Sequence, residues 1–475
     1  MSTMRTREIL CLAVLIQATI SGFAQSTATV DWTNVHQVID GFGASDTGTS
    51  YGTQLSSAQQ SFFFGTGSGQ LGLSILRVGV PNNAETIGSC ASVGASCAGA
   101  SWVISDMQAI VANGGRVYAS PWSPPAPYTV GDTTVCQSGN SALATGHYGD
   151  YANWFLNFVK SVAGQGVPLY ALSIQNEPDQ CTAYDSSEWS SSAIDSFITN
   201  NLGPTFSSNG ISTLIFAPEG SNYSVATSLG AICGTDATCS NYLGGYNWHE
   251  YQASTSGFTV APNPVPSGWA SGKKWWETEA SCGIGYGPGF CESGFNTDMT
   301  DALHWGSVVD QRMQDGANAW LYWLLIYYDG AATPDDESLI GNASSSFAIA
   351  KRAYMLGQYA KFVRPGYYRI DATRLPQSGV SVSAFQNTPT NALVIIATNY
   401  TGSAVSQTFN ITNAPTFSTM TPTITSPSQQ MATLSNVSVS SGSFTYTLPA
   451  QSIITFVGSA TSVAPPTNLS GTVVQ

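Results

Sequence analysis

Charge is scarce in this sequence, and positive charge most of all. Asp, Glu, Lys and Arg make up 9% of the 475 residues, with 14 bases against 28 acids and a formal net charge of −14. A chain so poor in cations has no basic patch for nucleic acid or an anionic membrane, so neither is an expected partner. It also has few cations with which to line a cleft for a polyanion. Histidine is rarer still. His36, His147, His249 and His304 are scattered, away from the clustered Cys and His spacings that bind zinc, so no metal is expected. A Gly-x-Ser-x-Gly elbow is missing, which weighs against a serine esterase. "GSGQLG" (67–72) fits a dinucleotide-binding glycine pattern but precedes a strand instead of opening a helix, and reads as a loop. No cofactor is expected.

Long apolar runs are limited to one, at the start. In "MSTMRTREILCLAVLIQATISGFAQS", Arg5 and Arg7 form a charged end, Ile9–Ile20 an apolar run and Gly22-Phe23-Ala24 a small-residue cleavage site. The run is short for a bilayer span, and residues 1–24 read as a signal peptide of a secreted, extracellular protein. Cysteine usage agrees. Cys11 would leave with the signal, and the other eight form close-spaced sets in an even count, which in a secreted chain argues for disulfides. Pairing of neighbours would join Cys90–Cys97, Cys136–Cys181, Cys233–Cys239 and Cys282–Cys291, although spacing alone does not determine connectivity.

What is abundant is apolar and aromatic: 43% hydrophobic residues, with 12 Trp, 21 Tyr and 20 Phe, enough for a large core. From Gly41 to Val363, short apolar runs ending in polar or turn residues alternate with helical patterns. "IDGFGAS" (39–45), "LSILRVGV" (73–80), "GRVYASPW" (115–122), "LYALSIQNEP" (169–178), "STLIFAPEG" (212–220), "GYNWHEY" (245–251), "KKWWETEAS" (273–281) and "AWLYWLLIY" (319–327) read as eight strands. Between two of them, Tyr151, Trp154, Phe155, Phe158 and Val159 repeat at helical spacing, closed by Gly164 and Gly166. "DMTDALHWGSVVDQRMQDG" and "FAIAKRAYMLGQYAKFV" read as two more helices. Eight strands alternating with helices predict a (β/α)8 TIM barrel over 41–363. Residues 366–460 lose helical periodicity and become Ser/Thr-rich alternating segments, an attached β-sandwich to which 28–40 would lend a strand. The Pro-rich 461–475 reads as a linker or the start of a further module. A monomer is expected.

Barrel enzymes place their sites where strands end. Here the ends carry Arg77, Trp122, Asn176 with Glu177, His249 with Tyr251, and Glu279. Two carboxylates, an amide, a cation and aromatic platforms make a glycosidase inventory, one acid protonating the leaving oxygen while the other attacks or activates water. By strand alternation, Trp275, Glu277 and Glu279 would share one face, into the barrel, with Glu277 about 7 Å deeper. Glu279 is then the reactive acid, and Glu277 a buried acid held by a cation or amide. Arg77 could serve only to neutralise such buried acids, and His249 reads equally as a satisfied barrel histidine or a sugar ligand. Tyr118 and Trp320 read as core.

These motifs resemble glycoside hydrolase family 30, from "QVIDGFGAS" to the β-appendage. "SIQNEPD" is similar to the family's fourth-strand motif, which makes Glu177 the general acid/base and Asn176 the residue bonding the sugar 2-hydroxyl. "WETEAS" resembles its nucleophile strand, with Glu279 the nucleophile. "WHEY" resembles its sixth-strand pattern, which puts Tyr251 beside the nucleophile. "ILRVGV" matches in Arg77, "ASPWSPP" in Trp122, and "AWLYWLL" carries a subsite tryptophan, Trp323. The resemblance implies a retaining double displacement, for which Glu177 needs a raised pKa at the first step. Family members act on xylan, β-1,6-glucan, β-1,6-galactan and glucosylceramide, and one branch recognises glucuronate on xylan through loop cations. In this chain "ASCGIGYGPGFCESGFNTD" (280–298) holds no Lys or Arg and carries Glu292 and Asp298. The expected substrate is a neutral β-glycan, with endo-β-1,4-xylanase action independent of glucuronate as the leading reading. A β-1,6-glucanase or β-1,6-galactanase is the alternative within the family, and a non-catalytic carbohydrate-binding protein the alternative outside it.

Overall fold

A computed structural model of the chain describes residues 26–46, 55–81, 101–251, 255–281, 297–326, 337–343 and 346–460. The expected signal peptide, the 461–475 segment and the pairs Cys90–Cys97 and Cys282–Cys291 lie outside the described residues. Disulfides join Cys136 to Cys181 and Cys233 to Cys239. Among the described residues no helix is long and apolar enough to cross a membrane.

Eight parallel strands close into a barrel: Gly41–Asp46, Ile75–Gly79, Arg116–Ser120, Leu169–Ser173, Leu214–Phe216, Leu243–His249, Lys274–Glu279 and Ala319–Ile326. Each pairs with its neighbours in sequence, and the eighth pairs with both the seventh and the first. Side chains alternate between two environments, as the strand period requires. Ile75, Tyr118, Ala171, Phe216, Trp276, Ala319 and Leu321 fill the interior. Their neighbours Leu76, Val117, Leu172, Ile215, Trp275 and Trp320 join the larger core outside the barrel. In that layer the helix Tyr148–Gly164 buries Tyr151, Trp154, Phe155 and Val159, and Gly166, at φ +82°, supplies the left-handed turn just past its end.

Two elements differ from the sequence pattern. The fifth strand is only three residues, Leu214–Phe216. Phe347–Ile349, read as the opening of a helix, belongs instead to a strand, Ser346–Ile349, paired antiparallel with Ser338–Ala343, itself parallel to the eighth barrel strand. A run as short as "FAI" has no period of its own, so the available pairing edge decides. The helix begins at Lys351.

The second body is a ten-stranded sheet from the C-terminal region, curled round its own core of Val30, Ile370, Val382, Leu393, Phe409, Phe444 and Phe456. The N-terminal strand Thr27–Val38 sits inside it, antiparallel to Tyr368–Ala372 and parallel to Val405–Thr412. The chain therefore passes through the sheet before entering the barrel. Arg374 pairs with Asp310 at 2.9 Å, and Lys351 Nζ donates to the Ser426 carbonyl at 2.7 Å, tying barrel helices to the sheet.

The barrel floor is ionic. Asp40, just before the first strand, accepts from Arg116 Nη1 (2.6 Å), Lys274 Nζ (2.7 Å), Trp276 Nε1 (2.9 Å) and Tyr170 OH (3.1 Å). Replacing Asp40 by Ala leaves two cations facing each other and should cost about 3 kcal/mol, since removing one partner strands the others. Asp40→Asn, which keeps one carbonyl acceptor but turns the other oxygen into an NH2 facing donors, should cost less than the full truncation. Denaturant midpoints check this; a change under about 1 kcal/mol for Asp40→Ala would mean that water replaces the carboxylate.

Candidate active site

Above the Trp276 layer the barrel interior becomes polar. Tyr118 OH donates to Glu219 Oε1 at 2.7 Å and accepts from Asn247 Nδ2 at 2.6 Å, while Ser120 Oγ donates to Glu219 Oε2 at 2.5 Å. Arg77, from the second strand, lies on this layer with no exposed surface. Its Nη1 meets Glu279 Oε2 at 2.6 Å, its Nη2 donates to Asn176 Oδ1 at 2.6 Å, and its Nε lies 3.3 Å from Glu219 Oε1. The guanidinium sits 4.9 Å from the Trp122 ring centre and 5.6 Å from that of Trp323, and the two rings are 5.9 Å apart.

His249, ending the sixth strand, is equally buried. Its Nδ1 is 2.9 Å from Glu177 Oε1 and 3.6 Å from Glu279 Oε1, and its Nε2 is 3.6 Å from Glu219 Oε1. The longer contacts are ion pairs, not hydrogen bonds. Tyr251 OH donates to Glu279 Oε1 at 2.5 Å. Only the Glu177 and Glu279 side chains among the five charged groups keep exposure, 13% and 6%, so they are the charged groups a ligand can reach. Glu177 and Glu219 both adopt left-handed backbone, φ 42° and 60°. Such strain persists only where surroundings over-determine it. Here the Glu177 N–H donates to the Glu219 carbonyl at 3.0 Å and the Glu219 N–H to the Asn247 carbonyl at 3.1 Å.

The electrostatics follow from this packing. Burial opposes charge on His249, but Glu279, Glu177 and Glu219 outweigh it and hold the ring up at about 10. Burial likewise opposes charge on Glu219, yet Arg77 and His249 bring it down to about 2. Burial pushes the Glu279 carboxyl above its ordinary value and the adjacent Glu177 adds to this, while His249, Arg77 and Tyr251 act in the opposite sense. One donor atom each from Glu177, His249 and Glu279 lie within 4.8 Å of one another, a spacing that also suits a metal. The carboxylates that raise the His249 pKa favour its protonated form, which disfavours ligation.

The strand ends thus bring Arg77, Trp122, Asn176, Glu177, His249, Tyr251, Glu279 and Trp323 together. One sequence expectation fails. Glu277 and Glu279 do not share a face. Between them the register slips by one residue against Trp248 and His249, a bulge that leaves Glu277 on the outer side with Trp275, which stacks on Trp248 with ring centres 4.2 Å apart. Among the described residues no cation or amide side chain hydrogen-bonds Glu277. Its carboxyl accepts from the backbone N–H of Glu279 at 2.8 Å and of Leu321 at 3.2 Å, and burial with Glu250 nearby keeps it well above the carboxylate range. Arg77 accordingly neutralises Glu279 and Glu219 instead. Glu219 itself escaped the sequence reading, although "APEG" ends a strand in a polar residue as the other site segments do. Residues 282–296 of the loop after the seventh strand lie outside the described residues.

Residues 101–264 match the Glycosyl hydrolase family 30 TIM-barrel domain, and 366–456 the family 30 beta sandwich domain. The chain is 31% identical to glucuronoxylanase XynC of Bacillus subtilis (strain 168) over 446 residues, 91% of this chain and 92% of that protein. Among solved structures it is similar to the family 30 subfamily 8 xylanase Xyn30A from Clostridium acetobutylicum, with a TM-score of 0.76 and 30% identity over 91% of this chain and 100% of that one. It is also similar to a GH30 endoxylanase from Clostridium papyrosolvens C71, with a TM-score of 0.72 and 33% identity over 92% of this chain and 100% of that one.

The shifted groups predict a pH optimum of stability. His249, raised from 6.5, contributes fully below that value and loses its contribution as pH rises through about 10. Glu277 and Glu279, raised from 4.5, contribute below 4.5 and lose it as pH rises. Glu219, lowered from 4.5, contributes above 4.5 and loses it as pH falls through about 2. The thermal midpoint should therefore peak near pH 4.5, fall as Glu277 and Glu279 ionise, and fall further above about pH 6.5 as His249 begins to lose its contribution. Calorimetry across this range checks it; a midpoint that climbs from pH 7 to 9 would contradict it.

Proposed function

The chain belongs to glycoside hydrolase family 30, and from that premise we propose that it is a secreted retaining endo-β-1,4-xylanase that acts on xylan without needing glucuronate side chains. The observation that carries the mechanism is the pair of reachable carboxylates, Glu177 and Glu279, with oxygens within 4.8 Å. Such nearness supports the close pairing of retaining enzymes over the wider gap that inverting ones leave for a water. Glu279 attacks the anomeric carbon, its Oε1 held by Tyr251 and its Oε2 by Arg77. Glu177 protonates the departing oxygen, then takes a proton from the water that frees the sugar. Asn176, its Oδ1 engaged by Arg77, is left with its amide donor for a sugar hydroxyl. Trp122 and Trp323, half-buried at the rim, offer ring faces to apolar sugar surfaces.

Relatives named as xylanases support xylan as the polymer. The cations support independence from glucuronate. All twelve Lys and Arg after Arg7 fall within the described residues. Arg77, Arg312 and Arg352 are fully buried in ion pairs. Arg116 and Lys274 hold Asp40 at the opposite end of the barrel, and Arg374 holds Asp310. The other six donate to backbone carbonyls or side-chain amides. Each of the twelve cations thus already has an acceptor within the protein. Secretion accords with the two disulfides and the N-terminal pattern.

Incubation with glucuronoxylan, linear xylan, β-1,6-glucan and β-1,6-galactan tests this reading. Short xylo-oligosaccharides with retained β-configuration should appear from linear xylan. Removing glucuronate should change kcat/KM by less than about threefold, and Glu279→Gln should lose at least about 1,000-fold. Cleavage confined to glucuronate-bearing xylan would refute the independence, and products from a β-1,6-glycan alone would overturn the substrate.

A further inference from the structure

Glu219 takes no part in the two chemical steps above, yet the polar layer beneath them is built round it. We propose that Glu219 is a positioning residue: it anchors Arg77 and the doubly protonated ring of His249 under the two reactive carboxylates, and so keeps a proton available to Glu177. The proposal rests on the assignment of Glu177 as acid/base and Glu279 as nucleophile.

The geometry leaves Glu219 little freedom. Tyr118 OH holds one oxygen at 2.7 Å and Ser120 Oγ the other at 2.5 Å, so the carboxylate cannot swing. Oε1 then faces Arg77 Nε at 3.3 Å and His249 Nε2 at 3.6 Å. Nε2 turned to one carboxylate at 3.6 Å and Nδ1 to Glu177 at 2.9 Å suit an imidazole with an N–H at both ends. The charged and titratable groups round His249 are Glu177 from the fourth strand end, Glu219 from the fifth, Glu279 from the seventh, Arg77 from the second and Tyr251 beside it, with Glu277 acting electrostatically from the outer side of the seventh strand. Tyr118, from the third, stands behind Glu219.

The charge balance explains why this matters. With Arg77 and His249 positive and Glu219 and Glu279 negative, Glu177 can remain protonated while the buried cluster stays neutral. Without the Glu219 charge, the same protons leave one net positive charge out of water, and the His249–Glu177 pair sheds a proton more readily. The basicity of His249, raised by these carboxylates, agrees with that arrangement.

The test is the pH profile of Glu219→Gln, which keeps the side chain's size and removes its charge. The alkaline limb of kcat/KM should move down by at least about one pH unit, the effect of one charge a few ångström away. At neutral pH the loss should be about 10- to 100-fold on xylo-oligosaccharides, whose leaving group needs a proton, and much smaller on a dinitrophenyl xyloside, whose leaving group does not. Glu219→Asp should restore the position of the limb even if its rate is low. A merely structural role would lower both substrates equally and leave the limb in place, and that result would overturn the proposal. Should Glu219→Gln fail to fold, nitrogen NMR of the histidines in the wild-type protein decides. A neutral His249 ring at pH 7 would refute the proposal, and a doubly protonated one supports it. A wild-type protein inactive on every β-glycan would sink the functional reading, while the state of the ring would still be measured.

Discussion

One guanidinium organises the catalytic end of this barrel. Arg77 is fully buried and is drawn toward oxygens on three separate strand ends: Glu279, Asn176 and Glu219. Its planar fork lets Nη1, Nη2 and Nε each serve a different partner, which a single ammonium could not do. Taking such a charge out of water is costly, and the site is arranged round that cost. Two carboxylates balance it, an amide and the Ser45 hydroxyl (3.4 Å) satisfy further donors, and the rings of Trp122 and Trp323 cover it. The same rings and the same amide border the cleft. The features that stabilise the cation therefore also shape the proposed sugar-binding surface.

The rest of the molecule repeats this economy of charge. Asp40 gathers Arg116 and Lys274 at the floor, Glu250 and Asp315 engage Arg312, Asp301 engages Arg352, and Asp310 joins Arg374 across to the sheet. The aromatic layer of Tyr118, Phe216 and Trp276 separates the two polar ends of the barrel. Below it, charge holds the strands together. Above it, charge gathers round Glu177 and Glu279, the proposed catalytic pair. Among the described residues these cations are each engaged by a carboxylate.

Much of this was legible in the sequence because a barrel enzyme obeys a simple positional rule. Arg77, Asn176, Glu177, His249, Tyr251 and Glu279 each stand where an apolar run gives way to polar residues. Closing eight strands into a ring is what brings such ends together. The spacing of Tyr151, Trp154, Phe155 and Val159 likewise announced a helix with one buried face. Glu219 was the residue to be missed. Its segment ends a strand of only three residues, and nothing in "APEG" says that its carboxylate turns inward to meet Tyr118, Ser120, Arg77 and His249.

The sequence by itself determined the alternation of strands and helices, the attached all-β body, and which residues stand at strand ends, because period and composition are local properties of the chain. Tertiary structure alone decided which way those residues face. The clearest case is "WETEAS", where strict alternation puts Glu277 and Glu279 on one side. A one-residue slip against Trp248 and His249 sends Glu277 outward and leaves Glu279 within reach of Arg77, His249 and Tyr251. Such a bulge is set by pairing with the neighbouring strand, and the upward pull on the His249 pKa comes from carboxylates on three other strand ends. Both depend on residues distant in the chain, which no local pattern records.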